Sequence, residues 1–460
     1  MAEDNYKKQT SLRGGTTRQS ASLEHTKDRL PHSVRNDEHK TSLRGGTTKQ
    51  SAQSKTRPLL PKLRFKEFDG EWKKGSLKKI AYTNPKTKEL PDKFIYIDLE
   101  SVTNGILVKE EVISIEEAPS RAQRVLEKND ILYQTVRPYQ KNNLYFDKNG
   151  DYVASTGYAQ IKAKEDSKYL FQFLHTTNFV NIVNRWSTGT SYPAISPSEL
   201  IKISISYPTL PEQQKIASFL SAVDEKIQQL AQKKSLLEQY KKGVMQQLFS
   251  GELRFKDENG EDFPDWEEKR LGEVCLKIQD GNYGASYPKS EEFVEMGIPF
   301  LTSKALGEGG SIIAHKIDYI SIEKHSELKK AHLALNDILF TNRGANVGAI
   351  GYVDSKISNG NIGPQLTLLR VKKQIESRFL FFAMSSYSMR KQIGSQDSGS
   401  AMNFFGIGAT SKFRLKIPCI KEQQKIANYL SAIDTKIETL NQQIEKTQSF
   451  KKGLLQQMFV

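Results

Sequence analysis

Two cysteines occur in 460 residues, Cys275 and Cys419, and no Cys-x-x-Cys pair. That excludes a disulfide framework and a cysteine zinc site, and it suits a reducing compartment such as the cytoplasm. No apolar run approaches 18 residues, so the sequence offers no membrane-spanning helix. The N-terminus lacks the apolar stretch of a signal peptide. There is no GxxxxGK[ST] phosphate loop, and no Asn-Pro-Pro-Tyr or Asp-Pro-Pro-Tyr of an adenine methyltransferase. Outside the first 57 residues the histidines are His175, His315, His325 and His332, and none has a partner at metal-ligand spacing. "PDWEEKR" around Asp265 is too tight for a nuclease carboxylate–lysine cluster, and "GIGAT" at Gly406 is too short for a dinucleotide fingerprint. These absences point away from an enzyme and toward a binding protein with no metal and no cofactor of its own.

What is present is positive charge. The net charge is +15, which favours an acidic partner such as nucleic acid. Residues 1–57 hold 12 Lys+Arg against 6 Asp+Glu, a contribution of +6. They contain "TSLRGGTTRQSA" from Thr10 and "TSLRGGTTKQSA" from Thr41, with few apolar residues. Such a segment buries too little surface to offset its ordering entropy. It reads as a disordered basic extension with an internal repeat; a nucleic-acid arm is the competing reading.

A second duplication is more informative. "EQQKIASFLSAVDEKI" begins at Glu212 and "EQQKIANYLSAIDTKI" at Glu422. From Glu212 to Phe249 against Glu422 to Phe459, 20 of 38 positions are identical. Apolar residues fall at Ile216, Leu220, Val223, Ile227, Leu230 and Leu237, and again at Ile426, Leu430, Ile433, Ile437, Leu440 and Ile444. Steps of four and three mark a heptad seam, so each copy is predicted to be a helix of about 36 residues, roughly 54 Å. Pro211 suits the first turn, and Ser250-Gly251 the end. Two equal seams in one chain predict an antiparallel coiled coil.

Each helix follows a block of short β-rich runs, among them "KFIYIDLESV", "GDYVASTGYAQIKA", "IPFLTSKAL", "GAIGYVD" and "PQLTLLRV". Each block also holds one aromatic segment read as a short helix, "SKYLFQFLHTTNFVNIV" or "ESRFLFFAMSSYSMRKQI". Each opens on Leu-Arg-Phe-Lys followed by a Trp, Trp72 or Trp266. The first helix runs on through "QLFSGELRFK", and "LPKLRFKEF" near residue 60 reads as the detached second half of the same connection. The N-terminal piece is therefore predicted to dock where the second helix ends. The fold class is α/β (α+β) and pseudo-twofold: an extension over 1–57, mixed-sheet domains over 58–208 and 251–418, and spacer helices over 209–250 and 419–460.

"YPTLPEQQKIASFLSAVDEKI", "KKGVMQQLFSGELRF", "DGNYGASYP", "GIPFLTSKAL" and "STGTSYPAISPSEL" resemble segments of the specificity subunit of type I restriction–modification systems. The resemblance spans residues 58–460. Lys421 in place of Pro and "SGSAMNFFGIGAT" in place of the TGTSYPAIS segment depart from it. It implies two target-recognition domains that each read half of a split, asymmetric DNA site, spaced by the helices. It implies as partners double-stranded DNA, two methyltransferase subunits using S-adenosylmethionine for adenine-N6 transfer, and restriction motor-nuclease subunits using ATP and Mg. The chain itself would be non-catalytic. A stand-alone DNA-binding coiled-coil protein, or a degenerate methyltransferase or nuclease, are the alternatives.

A major-groove reader needs Arg for guanine and Asn or Gln for adenine. In the first domain "QTVRPYQKNN" offers Gln134, Arg137, Tyr139, Gln140, Lys141 and Asn142, and "STGTSY" adds Thr188, Thr190 and Tyr192. In the second, the candidates are Asn282, Tyr283 and Tyr287, then Thr341, Asn342, Arg343 and Asn346, then Ser398, Ser400 and Asn403.

Overall fold

The computed structural model describes residues 60–86, 89–395 and 404–460; the expected extension over 1–57 lies outside them. β-Branched and aromatic runs form two blocks with one plan. In the first, an antiparallel sheet has the order Ala81–Thr83, Tyr158–Ala163, Ile131–Gln134, Leu144–Tyr145. In the second, the order is Cys275–Asp280, Leu366–Val371, Ile338–Thr341, Ile350–Tyr352. The duplicated "NDIL" thus builds the same inner strand twice, and all four of its residues in each strand are buried. A second, mixed sheet in each block contains one parallel pair, Tyr152–Ser155 with Lys93–Ile97 and Asn361–Ile362 with Ile298–Leu301. A two-strand ribbon then leads into each long helix: Lys73–Ser76 with Ser204–Tyr207, and Glu267–Arg270 with Arg414–Ile417.

The aromatic segments differ from expectation. Each is two helices, Ser167–Leu174 with Thr177–Trp186, and Ser377–Met384 with Tyr387–Ser395. Thr176 and Ser386 break them, because each hydroxyl accepts a backbone N–H three residues on, from Phe179 at 3.3 Å and Met389 at 3.3 Å.

The long helices span Leu210–Ser250 and Ile420–Gln457, 41 and 38 residues. They are longer than the seam predicts because the ends enter the blocks. Gly251, at φ 87°, stops the first in the left-handed cap that glycine adopts without strain. The pair is antiparallel, and its polar links obey the duplication. Lys241 Nζ lies 2.5 Å from Asp434, and Lys451 Nζ lies 2.6 Å from Asp224. Ile216, Leu220, Leu230, Ile426, Leu430, Ile433 and Leu440 are buried. Val223, Ile227, Leu237, Ile437 and Ile444 are half-buried.

Each block core is completed by both helices. Ile216, Ala217 and Leu220 join Leu454, Met458 and Phe459 in the first core; Val244 and Leu248 join Ile426, Ala427 and Leu430 in the second. At about 1.5–3 kcal/mol per buried large aliphatic or aromatic side chain, these ends anchor the blocks.

A buried glutamate clamps each joint. Arg64 reaches both oxygens of Glu212 at 2.7 Å, and Trp72 Nε1 donates to Oε1 at 3.2 Å. Arg254 reaches the Glu422 oxygens at 3.2 and 2.8 Å, and Trp266 Nε1 donates to Oε2 at 3.0 Å. Both glutamates are almost wholly buried. Their charge is tolerated there because the guanidinium fork and the indole satisfy it. The "LRF…W" and "EQQ" repeats are thus two halves of one device. Next in each sequence, Gln213 Nε2 donates to the Pro208 carbonyl at 3.0 Å, and Gln423 Nε2 to that of Pro418 at 2.8 Å. The detached connection also docks as predicted: Leu63 N–H donates to the Gln457 carbonyl at 2.9 Å, as Leu253 N–H does to Gln247 at 3.0 Å.

Candidate nucleic-acid interface

In each block the inner strand runs out into a polar loop, and the segment before the ribbon folds beside it. Ile195 N–H donates to the Thr135 carbonyl at 3.0 Å, and Phe405 N–H to the Asn342 carbonyl at 2.8 Å. The next residues form bridges, Val136 with Ala194 and Arg343 with Phe404. The loops singled out from sequence therefore meet in pairs at the same edge of each block.

Their side chains divide into two sets. Gln134, Asn282, Thr341 and Asn342 are buried, which corrects the expectation that they line an exposed surface. The polar residues after "NDIL" still belong to the sheet end, where the backbone is covered and each amide needs an internal partner. Gln134 Nε2 donates to the Val136 carbonyl at 2.7 Å and to Gln140 Oε1 at 2.9 Å. Asn342 Nδ2 donates to Asp280 Oδ1 at 3.1 Å and to Thr367 Oγ1 at 2.9 Å. Asn282 Nδ2 donates to the Lys330 carbonyl at 3.0 Å. Asn142, half-buried, accepts from Gly105 N–H at 3.2 Å and donates to the Val102 carbonyl. Lys141 points inward, its Nζ 3.2 Å from the His175 carbonyl, and burial lowers its pKa. These residues shape loops.

The second set is exposed. Tyr139, Gln140, Thr188, Thr190 and Tyr192 face outward in the first block, and Tyr283 and Asn346 in the second. Tyr287 is half-buried against Phe300. Arg137 and Arg343 are half-buried with their guanidinium groups over aromatic rings, 4.3 Å from the centroid of Tyr192 and 4.4 Å from that of Phe404. Ser398, Ser400 and Asn403 lie outside the described residues.

Three contributors are absent from the sequence reading. Phe404 stood inside "NFF", beside a residue that was chosen. Asp280 and Thr367 lie 62 and 25 residues from Asn342, so no local pattern joins them to it. Gly281 holds that junction close, since a Cβ there would meet the Gly363 carbonyl oxygen at 2.2 Å.

Other chemistry-bearing groups are committed to packing. The Cys275 thiol is pushed up to about 12 by burial, far from a reactive thiolate. His325 and His332, seven residues apart, stack at 4.5 Å, but among the described residues no group of three His, Cys, Asp or Glu could hold a metal ion. No described helix is long and apolar enough to cross a membrane.

A family model, the type I restriction modification DNA specificity domain, matches residues 70–239 and 264–448. The chain is 25% identical over 382 residues to the type I restriction enzyme MjaVIII specificity subunit of Methanocaldococcus jannaschii, covering 80% of this chain and 85% of that one. Its fold resembles the crystal structure of a type I restriction–modification S subunit from M. genitalium, with a TM-score of 0.56, 18% identity and coverage of 87% and 99%. A chain from a structural study of type I complex assembly and conformational transition matches with a TM-score of 0.50, 24% identity and coverage of 84% and 95%. With most of the chain, including the start of each long-helix repeat, inside the matched segments, the chain belongs to the specificity subunits of type I restriction–modification systems, which recognise DNA sequence for the complex and are not themselves enzymes.

Proposed function

We propose that this subunit reads a bipartite, asymmetric site, with residues 58–208 on one half and 251–418 on the other, and that the helix pair sets the unread gap. The supporting observation is the repetition of the glutamate clamp, which fixes one block to each end of an antiparallel pair. About 60 Å of helix corresponds to roughly 18 base pairs of rise. The exposed loop residues, with Arg137 and Arg343, face the DNA; Lys and Arg contacts to phosphate supply affinity and base contacts supply specificity. Two methyltransferase subunits dock on the assembly and carry adenine-N6 transfer from S-adenosylmethionine. Motor-nuclease subunits using ATP and Mg complete the restriction complex, in the cytoplasm.

The test lengthens both helices. A seven-residue insertion after Gln232 and another after Gln442 keep the heptad seam and add about 10 Å, or about three base pairs of rise. Methylated-adenine mapping with the complete complex should return the parental half-sites with a gap longer by about three. An unchanged gap would show that the helices do not set it.

A further inference from the structure

We infer that each recognition domain reads a guanine through an arginine laid on an exposed aromatic ring, Arg137 on Tyr192 and Arg343 on Phe404. This rests on the bipartite reading above and adds the base and the residues that read it.

The first ground is exposure. Tyr192 is 66% and Phe404 54% exposed, so neither ring is there to fill a core. A large ring left in water costs hydrophobic free energy, yet each domain keeps one in the segment before its ribbon. The second ground is the arginines' bonding. Among the described residues, neither guanidinium forms an ion pair, and the terminal nitrogens of both make no hydrogen bond to protein. Arg343 spends only Nε, on Asn342 Oδ1 at 3.2 Å. Arg137 Nε is buried without a partner. In both, no described residue takes up the end of the fork.

The third ground is recurrence on different backbones. Arg343 and Phe404 are themselves the bridged residues of their domain. In the first domain the bridge is Val136 with Ala194, and the stacked pair sits beside it. Arg137 takes a left-handed conformation, φ 55°, that few non-glycine residues adopt, and its N–H donates to the Pro193 carbonyl at 2.7 Å. The stack is therefore not a by-product of one inherited loop shape. A guanidinium flat on a ring loses much of its rotamer freedom before binding, and its two terminal nitrogens keep the planar fork that matches guanine O6 and N7. A phosphate contact needs charge but not that planarity.

The assembled complex, with its methyltransferase subunits, is used to select duplexes from a randomised pool, and the consensus is compared between parent and variants. The parent should give two half-sites, each with an invariant guanine. Arg343→Ala should relax one guanine in one half-site, with a loss of roughly 5- to 150-fold against the cognate duplex. Arg137→Ala should do the same in the other half. Arg343→Lys, which keeps the charge, should fail to restore the guanine. Phe404→Ala should weaken preference at the same base as Arg343→Ala and at no other. Replacing that guanine by 7-deazaguanine should cost the parent and leave Arg343→Ala unaffected. Thermal unfolding matching the parent shows that the variants are folded. If either half-site lacks an invariant guanine, or the arginine variants return the parental consensus, the inference is overturned. So it is if Arg343→Ala weakens binding to all duplexes alike, which marks a phosphate contact. A parent consensus that is not bipartite would instead fault the reading beneath it.

Discussion

The two recognition domains share their inner sheet, their helix pair and their clamp, and part company at the loops. After "NDIL" the first domain inserts one more residue before its arginine, then turns through Pro138–Gln140 between two left-handed residues, Arg137 and Lys141. The second instead turns on Gly344 and Gly348, at φ 91° and 88°. The outer sheets differ too. The first domain adds Ala122–Val125 beside the parallel pair, whereas the second adds Phe293–Val294 on the far side of Asp318–Ile320. What is repeated holds a domain to the helices; what is not repeated faces outward. A scaffold under one set of packing constraints can thus carry two independently varying reading surfaces.

The clamps are where the likeness can be broken hardest. Glu422→Ala leaves Arg254, on the connection between the first long helix and Glu267–Arg270, with only the Phe263 and Pro264 carbonyls and Asp265 as partners, at an expected cost of about 3 kcal/mol in denaturant unfolding. Glu212→Ala should cost less, because Arg64 sits on the terminal strap and can move into water. It should also open residues 60–72 to limited proteolysis, which Glu422→Ala should not do. Equal losses with no new cleavage would show that the strap is not a separable element.

A smaller asymmetry is acid sensitivity. Burial holds His175 well below the usual histidine range, at about 4, with Nδ1 2.7 Å from the Phe171 carbonyl and Asn143 Nδ2 3.3 Å from Nε2. Lys451 and Lys141 lower it further, while Asp224 opposes them. The unfolded chain titrates near 6.5, so below that pH it binds a proton that the folded state refuses. Stability is therefore full above about 6.5 and is lost as pH falls toward 4, by about 2 kcal/mol between pH 7 and pH 5. At the corresponding place the second domain has Ser385, which does not titrate. Urea midpoints at the two pH values should converge in His175→Gln; an undiminished pH dependence would assign the effect elsewhere.

The smallest expected effect sharpens the symmetry of the helix pair. Lys241→Ala and Lys451→Ala should each cost at most about 1 kcal/mol, since both lysines are partly solvated. Double-mutant cycles with Asp434 and Asp224 should give equal couplings. A coupling confined to one end would mean that the two ends are not energetically equivalent.

The helices, the docked strap and the seam were legible because a duplication displays the same constraint twice. Glu212 and Glu422 are visible in the repeat, but nothing local shows that an arginine 148 or 168 residues away would bury them. The loops were located, yet Gln134, Thr341 and Asn342 read the same whether a sheet end covers them or water does. For Asn342 that difference is decided by Asp280 and Thr367, which approach only after both strands have paired. The break within each aromatic segment is a weak local signal, a single hydroxyl that competes with helix continuation.

The docked strap also orders events in time. The core around Trp72 is closed by Leu454, Met458 and Phe459, and Leu63 bonds to Gln457. The second core needs nothing beyond Ile437. During synthesis, then, the first domain must wait for Leu454, Met458 and Phe459, which are made after the whole second domain, whose own core is by then complete. Until Phe459 is seated, the apolar floor of the first domain is a surface that other nascent chains or chaperones can meet.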